Sequence, residues 1–190
     1  MKNLAIFATG GGSNAEAIIQ YFKDIEGINV SLIVSNKSKA GVLDRAKRHD
    51  IPFHILTRSD FYQSNSTLEV LNEYKIDWII LAGFLWLVPE YLVDAYPNHI
   101  LNIHPALLPK YGGKGMYGMN VHRAVKENNE QLSGMTIHFV NKEYDKGKHV
   151  FQATTELDSG DTPEEIAAKV LKLEHTYYPK IIHHLVKSSD

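Results

Sequence analysis

Over its first hundred residues the chain alternates short apolar runs with amphipathic segments. Residues 3–8 (NLAIFA) lead into Gly10-Gly11-Gly12, after which Ile18, Tyr21, Phe22 and Ile25 recur at helical spacing. Ser13 reads as the cap of that helix and Glu16 as its capping-box partner. Further strands are predicted at 29–34, 53–56, 77–82 and 99–103, separated by helices at 40–49, 60–74 and 89–95, the last opened by Pro89. A strand that returns in the same direction needs a crossover long enough to hold a helix, so this alternation implies parallel pairing. The expected class is α/β: an open, mostly parallel, doubly wound (Rossmann-like) sheet with helices on both faces. Residues 133–140 and 149–155 break the pattern, being two strand-like runs joined by a polar loop, so the far edge should carry an antiparallel strand. A long helix closes the chain, capped by Thr162 with Pro163 and Glu165 in its first turn, striped by Ile166, Val170, Tyr177, Ile181 and Leu185, and kinked at Pro179. With neither repeat nor linker, residues 1–190 read as a single domain.

Charge and composition narrow the partners. A formal charge of -2 argues against a broad nucleic-acid surface, and no apolar run reaches membrane-spanning length. Small-molecule ligands remain, with a monomer and a homodimer both open. The absence of Cys fits a cytoplasmic setting. Ten His are present, but without Cys, a His-Glu-x-x-His motif or a tight His/Asp cluster they read as scattered, and no metal is expected.

Ligands of such sheets bind at the carboxyl ends of the strands, near a switch in strand order. In TGGGSN, Gly10, Gly12 and Ala15 satisfy the permissive G-x-G-x-x-G/A pattern, but the second strand ends in Ser35-Asn36-Lys37, without a carboxylate for a dinucleotide ribose. Backbone amides at a helix N-terminus, with Ser13 and Asn14, suit a monophosphate; the glycines alone would only permit a tight turn. In ILNIHPALLPKYGG, Asn102 and His104 stand two apart on a strand and so share one side, with Pro105 and Pro109 stiffening the loop that follows. An amide donor beside an imidazole can stabilise an oxyanion and move a proton, although a lone His more often satisfies nearby backbone. Asp145, in NKEYDKG, is by itself a turn former; if that loop folds back over the sheet edge, its carboxylate would orient His104 and raise the imidazole pKa. Glu174 falls on the apolar stripe of the last helix, where a carboxylate sits at the margin or holds a polar ligand such as ribose hydroxyls.

GGGSN, LAGF, LNIHPALLPKY, SGMTIHFV followed by EYDKG, and LEHTYYP occur in an order that resembles the folate-dependent formyltransferases, from about residue 3 to about 186. The Asn-x-His-Pro segment is common to that superfamily. The Gly-Ser-Asn turn and the late Glu-His resemble more narrowly the members that formylate the glycyl amine of a phosphoribosyl glycinamide in purine synthesis. The resemblance implies 10-formyltetrahydrofolate as co-substrate and no metal. It implies a catalytic trio of Asn102, His104 and Asp145, with Gly12, Ser13 and Asn14 around the substrate phosphate and Glu174 near the ribose. Leu85, Trp86, Leu87 and Val88 would line the folate pocket, Asn141, Lys142, Glu143 and Tyr144 its other wall, with Asn102 and Asp145 also reaching the folate. Trp86 stands where the family often has Arg, an Arg often found after the third strand is missing from FYQSNS, and the loop YGGKGMYGMNVH is longer than in many relatives. In the expected reaction the amine attacks the formyl carbon, Asn102 donates to the developing oxyanion, and a protonated His104, kept charged by Asp145, assists. The alternatives are a formyltransferase acting on a nucleotide-linked amino sugar and a non-catalytic phosphate-ligand sensor.

Overall fold

The computed structural model describes residues 1–188. In chain order the elements are β1 (Lys2–Phe7), α1 (Ser13–Phe22), β2 (Ile28–Ser35), α2 (Gly41–Arg48), β3 (Phe53–Ile55), α3 (Arg58–Gln63) and α4 (Ser66–Glu73). There follow β4 (Trp78–Leu81), α5 (Glu90–Ala95), β5 (Ile100–His104), α6 (Met119–Glu127), β6 (Leu132–Phe139), β7 (His149–Glu156) and α7 (Pro163–Lys187). The strands form one sheet in the order β3-β2-β1-β4-β5-β6-β7. The first five pair in parallel, whereas β6 runs antiparallel to both β5 and β7. The chain thus winds from β1 toward β3, crosses back to β4 and winds the other way, which puts the switch point between β1 and β4.

Side-chain alternation divides the core between the two faces of the sheet. Leu4 and Ile6 of β1, with Trp78 and Ile80 of β4, pack with residues of α1, α2 and α7. Ala5 and Phe7, with Ile79 and Leu81, face Phe61, Leu71 and Leu92 of α3, α4 and α5. Burial on both faces is why β4 reads as an unbroken apolar WIIL rather than an alternating strand. Among the described residues no helix is long and apolar enough to cross a membrane.

Three local expectations change. The helix expected over 60–74 is two, broken at an extended Ser64 whose hydroxyl donates to the Asp60 carbonyl (3.1 Å) and accepts from the Ser66 amide (3.2 Å), bonds that compete with the helical ladder. α6 occupies a stretch read as loop. The cap of α1 is Gly12 in the left-handed region (φ 71°), and Ser13 is the first helical residue. Glu16 does not complete a capping box, because α2 recruits it: its carboxylate accepts from Arg45 (2.9 Å), Arg48 (3.3 Å) and His49 (2.8 Å). At the other end of the chain the Thr162–Glu165 box forms as expected, and α7 runs on through Pro179. Tyr178 anchors that helix to the sheet, its buried hydroxyl donating to the carbonyls of Leu81 (3.0 Å) and Leu101 (3.2 Å). One turn earlier on the same helix face stands Glu174.

Candidate functional site

The carboxyl ends of β1, β4 and β5 open into a cavity of about 520 Å³, within the range of small-molecule sites. Its walls are the turn 10–14, residues 81–88, residues 102–105, the loop 113–119, residues 143–145 and one face of α7.

Asn102, His104 and Asp145 converge at its centre. The Asp145 backbone is left-handed (φ 55°), a conformation Asp tolerates better than most residues, and the loop turns there toward β5. Its Oδ2 accepts the Gly113 amide (2.9 Å) and lies 3.5 Å from His104 Nδ1, and its Oδ1 accepts from Asn102 Nδ2 at a stretched 3.4 Å. His104 Nε2 lies 2.7 Å from the Tyr111 carbonyl, which can only accept, so Nε2 carries a hydrogen and Nδ1 is the nitrogen facing Asp145. The loop carrying Tyr111 is fixed from below. Thr136, opposite His104 in the ladder, donates to Ala106 O (2.6 Å) and accepts from Leu108 N (3.0 Å), while Gln152 donates to Leu108 O (3.0 Å).

His138 completes the cluster, and the sequence reading passed over it. It pairs directly with Asn102 across β5 and β6 and is 2% exposed. Its Nδ1 lies 2.9 Å from the Phe139 carbonyl and so donates, leaving Nε2 to accept from Asn102 Nδ2 at 3.1 Å. That bond sets the orientation of the Asn102 amide. The charge pattern departs from the expected one. Burial pushes His104 below its ordinary value, outweighing the Asp145 carboxylate that favours the cation. Burial would raise Asp145, but donors such as the Gly113 amide offset it, and the carboxyl lies below the usual carboxylate range. The pair is therefore a carboxylate beside a neutral imidazole, and the expected standing cation is corrected. His122 of α6, also missed, lines the same cavity. It is 6% exposed, its Nδ1 has no partner among the described residues, and burial, reinforced by nearby His104, pushes it down to about 4.

At the other end the turn 10–14 is held by α2. Val42 N donates to Gly10 O (3.1 Å) and Arg45 Nε to Gly11 O (2.6 Å). A side chain at Gly12 would overlap Val42 as well as strain the backbone. The first helical bond runs from Glu16 N to Gly12 O (2.9 Å), so the amides of Ser13, Asn14 and Ala15 precede the ladder. Asn14 Nδ2 donates to Glu174 Oε2 at 2.6 Å, while Asn14 Oδ1 is buried without a partner among the described residues.

Glu174, 6% exposed, is pushed by burial from an ordinary 4.5 up to about 7, with the Asn14 bond opposing. Below pH 4.5 both folded and unfolded chains hold this proton; between 4.5 and about 7 only the folded chain does, so stability falls as pH rises through that window. The loss from this group is about 3 kcal/mol. Glu174→Gln removes the ionisation, so in urea melts between pH 4 and 8, values chosen to bracket roughly the whole window, the variant gains on the parent as pH rises. Parallel curves would contradict the assignment.

Of the residues expected around a folate, Leu85, Trp86, Leu87, Val88, Glu143 and Tyr144 line the cavity together with Asn102 and Asp145. Asn141 and Lys142 do not: Asn141 Oδ1 accepts the Glu143 amide (3.0 Å), and Lys142 turns outward to Glu90 (3.2 Å) and Asp94 (3.5 Å) of α5. Trp86 leans on Phe61 and Tyr62, with centroids 5.6 and 5.9 Å away, and Tyr62 donates to Leu87 O (2.9 Å), which gives the indole a fixed aromatic backing. Among the described residues no group of His, Cys, Asp or Glu is arranged to hold a metal ion.

Residues 2–182 match the family described as Formyl transferase. The chain is 44% identical over 188 residues to the chloroplastic phosphoribosylglycinamide formyltransferase of Arabidopsis thaliana, covering 95% of this chain and 64% of that one. It thus spans less than two thirds of that relative's length. It is 34% identical over 191 residues to phosphoribosylglycinamide formyltransferase of Bacillus subtilis, covering 98% of this chain and 95% of that one. The crystal structure of the phosphoribosylglycinamide formyltransferase of Bacillus halodurans superposes with a TM-score of 0.89 at 35% identity, over 100% of this chain and 97% of that one. With the match running over nearly the whole sequence, the chain belongs to the formyl transferase family.

Proposed function

We propose that this single-domain chain transfers the formyl group of 10-formyltetrahydrofolate to the glycyl amine of N1-(5-phospho-D-ribosyl)glycinamide, a step of purine synthesis. One observation carries the reading: a proton-handling cluster (Asn102, His104, Asp145) and a phosphate-sized turn with a buried carboxylate beside it (Gly12, Ser13, Asn14, Glu174) share one cavity. Relatives of matching length bear the name of this activity.

The phosphate takes the free amides at the start of α1 and the Ser13 hydroxyl, and the ribose hydroxyls meet Glu174 and the unmet Asn14 Oδ1. The folate lies along 85–88, with Trp86 and Tyr144 against its flat ring and Glu143 at its rim. The neutral amine forms a bond to the formyl carbon, and the carbonyl electrons move onto oxygen. Asn102 serves that oxygen with the amide hydrogen held only loosely by Asp145, while its firmer bond to His138 keeps the amide aimed. The proton leaving the attacking nitrogen goes to His104 Nδ1, where Asp145 stabilises the new cation and the Tyr111 carbonyl keeps the other N–H bound. As the carbon–N10 bond breaks, the same proton is returned to N10, which releases tetrahydrofolate and the formylated amide.

The test is to mix the protein with glycinamide ribonucleotide and 10-formyltetrahydrofolate and follow the folate absorbance. Turnover supports the reading. No turnover with this pair but turnover with a nucleotide-linked amino sugar moves the assignment to the sugar enzyme, and binding of the ribonucleotide without any turnover leaves a sensor. His104→Ala should lower turnover by about 10²–10⁴ while ribonucleotide affinity, measured by calorimetry, changes far less. Equal losses in both would remove His104 from the chemistry.

A further inference from the structure

We infer that Lys114, on the glycine-rich loop between β5 and α6, supplies the counter-charge for the ribonucleotide's phosphate and so acts as a specificity residue. The inference rests on the substrate proposed above.

Among the described residues that line the cavity, Lys114 alone is a Lys or Arg, whereas Glu143, Asp145 and Glu174 are acidic. The imidazoles do not compensate, since burial pushes His104 and His122 toward their neutral forms. At the phosphate end the donors are neutral: backbone amides, a hydroxyl and a carboxamide. Arg45 holds that turn, but its guanidinium is already engaged, by the Gly11 carbonyl at 2.6 Å and by Glu16 at 2.9 Å. A phosphate dianion at a turn whose donors are all neutral gains from a nearby cation, and an ammonium on a flexible stem can serve as a point charge for it.

Lys114 is free for that role. It is exposed, and no ion-pair or hydrogen-bond partner holds its ammonium among the described residues. By contrast Lys110, Lys142 and Lys146 each pair with a carboxylate. Gly113, Gly115 and Gly118 around it all have positive φ, with no atom within 4 Å of where a Cβ would stand. The loop therefore has room to bring the ammonium inward.

Its position favours the phosphate over a folate carboxylate. The loop runs directly into α6, which packs on α7. α7 in turn supplies Ala167, Leu171 and Glu174 to the cavity and is tied to the phosphate turn through Asn14. The folate side is built from other segments, 84–88, Val140 and Tyr144.

Lys114→Met keeps the stem and removes the charge, and Lys114→Arg restores it. In steady-state kinetics the Met variant should raise KM for glycinamide ribonucleotide about 10- to 100-fold, the range of one charge-assisted contact, with KM for the folate and kcat changed much less. Arg should recover most of the loss. Calorimetry with ribose 5-phosphate gives a readout independent of turnover, and the same weakening should appear there. A rise in the folate KM alone would overturn the inference in favour of a folate carboxylate, and no change in either KM or in ribose 5-phosphate binding would leave a solvated loop charge. If the parent protein does not turn over the substrate pair but binds ribose 5-phosphate in a Lys114-dependent way, the proposed reaction fails and the phosphate assignment stands.

Discussion

Asp145→Asn should lower turnover by about 10²–10⁴, the scale of general acid–base assistance, while the sheet and the affinity for the ribonucleotide persist. The carboxylate does two jobs that an amide cannot combine. One oxygen accepts the Gly113 amide and faces His104 Nδ1, and the other faces Asn102 Nδ2 and His138 Nε2. An Asn side chain must keep its oxygen on Gly113, because an NH₂ group cannot accept. Its NH₂ then meets the Asn102 NH₂, donor against donor, and one of the two amides has to turn. The second loss is charge. Without the carboxylate, an imidazolium formed at His104 in the proposed transfer would have no counter-ion in a buried site.

The pH profile separates this account from a merely structural one. A neutral His104 is the form that can accept a proton, so the ascending limb of kcat/KM reports its pKa in the free enzyme. Asp145 raises that pKa, although burial wins overall, and removing the negative charge must therefore lower it further. The variant's ascending limb moves to more acid pH as its plateau falls. A limb that moves to higher pH, or a plateau that stays near the parent's, would mean that Asp145 does not act through His104.

Much of this was legible in the sequence, for identifiable reasons. Asn102 and His104 could be paired because a strand's period of two is local information, and the order of strands and helices followed from apolar runs too short to be helices. His138 was not legible, although it lies within SGMTIHFV. Its contact with Asn102 depends on the register between β5 and β6, and a shift of one residue would turn its ring to the other face. α6 was hidden by the glycines before it, and its buried apolar residues are Val121 and Val125 alone, with His122 buried between them. Ser13 met every local criterion for a cap, but Glu16 was claimed by Arg45 and Arg48 of α2 and by His49 just beyond it, a tertiary event. The protonation state of His104 failed for the same kind of reason. The Asp145 charge could be anticipated from sequence, but burial under the loop that carries Tyr111 could not, and burial is the larger effect.

Gly147→Ala, two residues from Asp145, should cost at least about 10² in kcat/KM although it touches no ligand, the scale expected when a catalytic group moves by about 1 Å. A Cβ at this position would overlap the Phe139 carbonyl oxygen and lie 2.7 Å from its carbon, with His138 Nδ1 3.4 Å away. That carbonyl receives the His138 Nδ1 hydrogen and so fixes the tautomer that accepts from Asn102. The same residue closes the 140–148 loop, its amide donating to Lys148 O at 2.9 Å. Neither neighbour is the free end of a flexible side chain, so the loop itself has to lift from β6 and carry Asp145 away from His104. The turn 10–14 and Glu174 lie on other elements, so ribose 5-phosphate binding, read by calorimetry, should remain near the parent's and shows that the rest of the fold is intact. Backbone shifts forced by overpacking cost about 1–3 kcal/mol, a fall in the urea midpoint that a domain of this size can survive. Parent-like kcat/KM in a folded Gly147→Ala protein would mean that Asp145 need not be held where the closed loop holds it, and the carboxylate's part in the transfer would have to be abandoned.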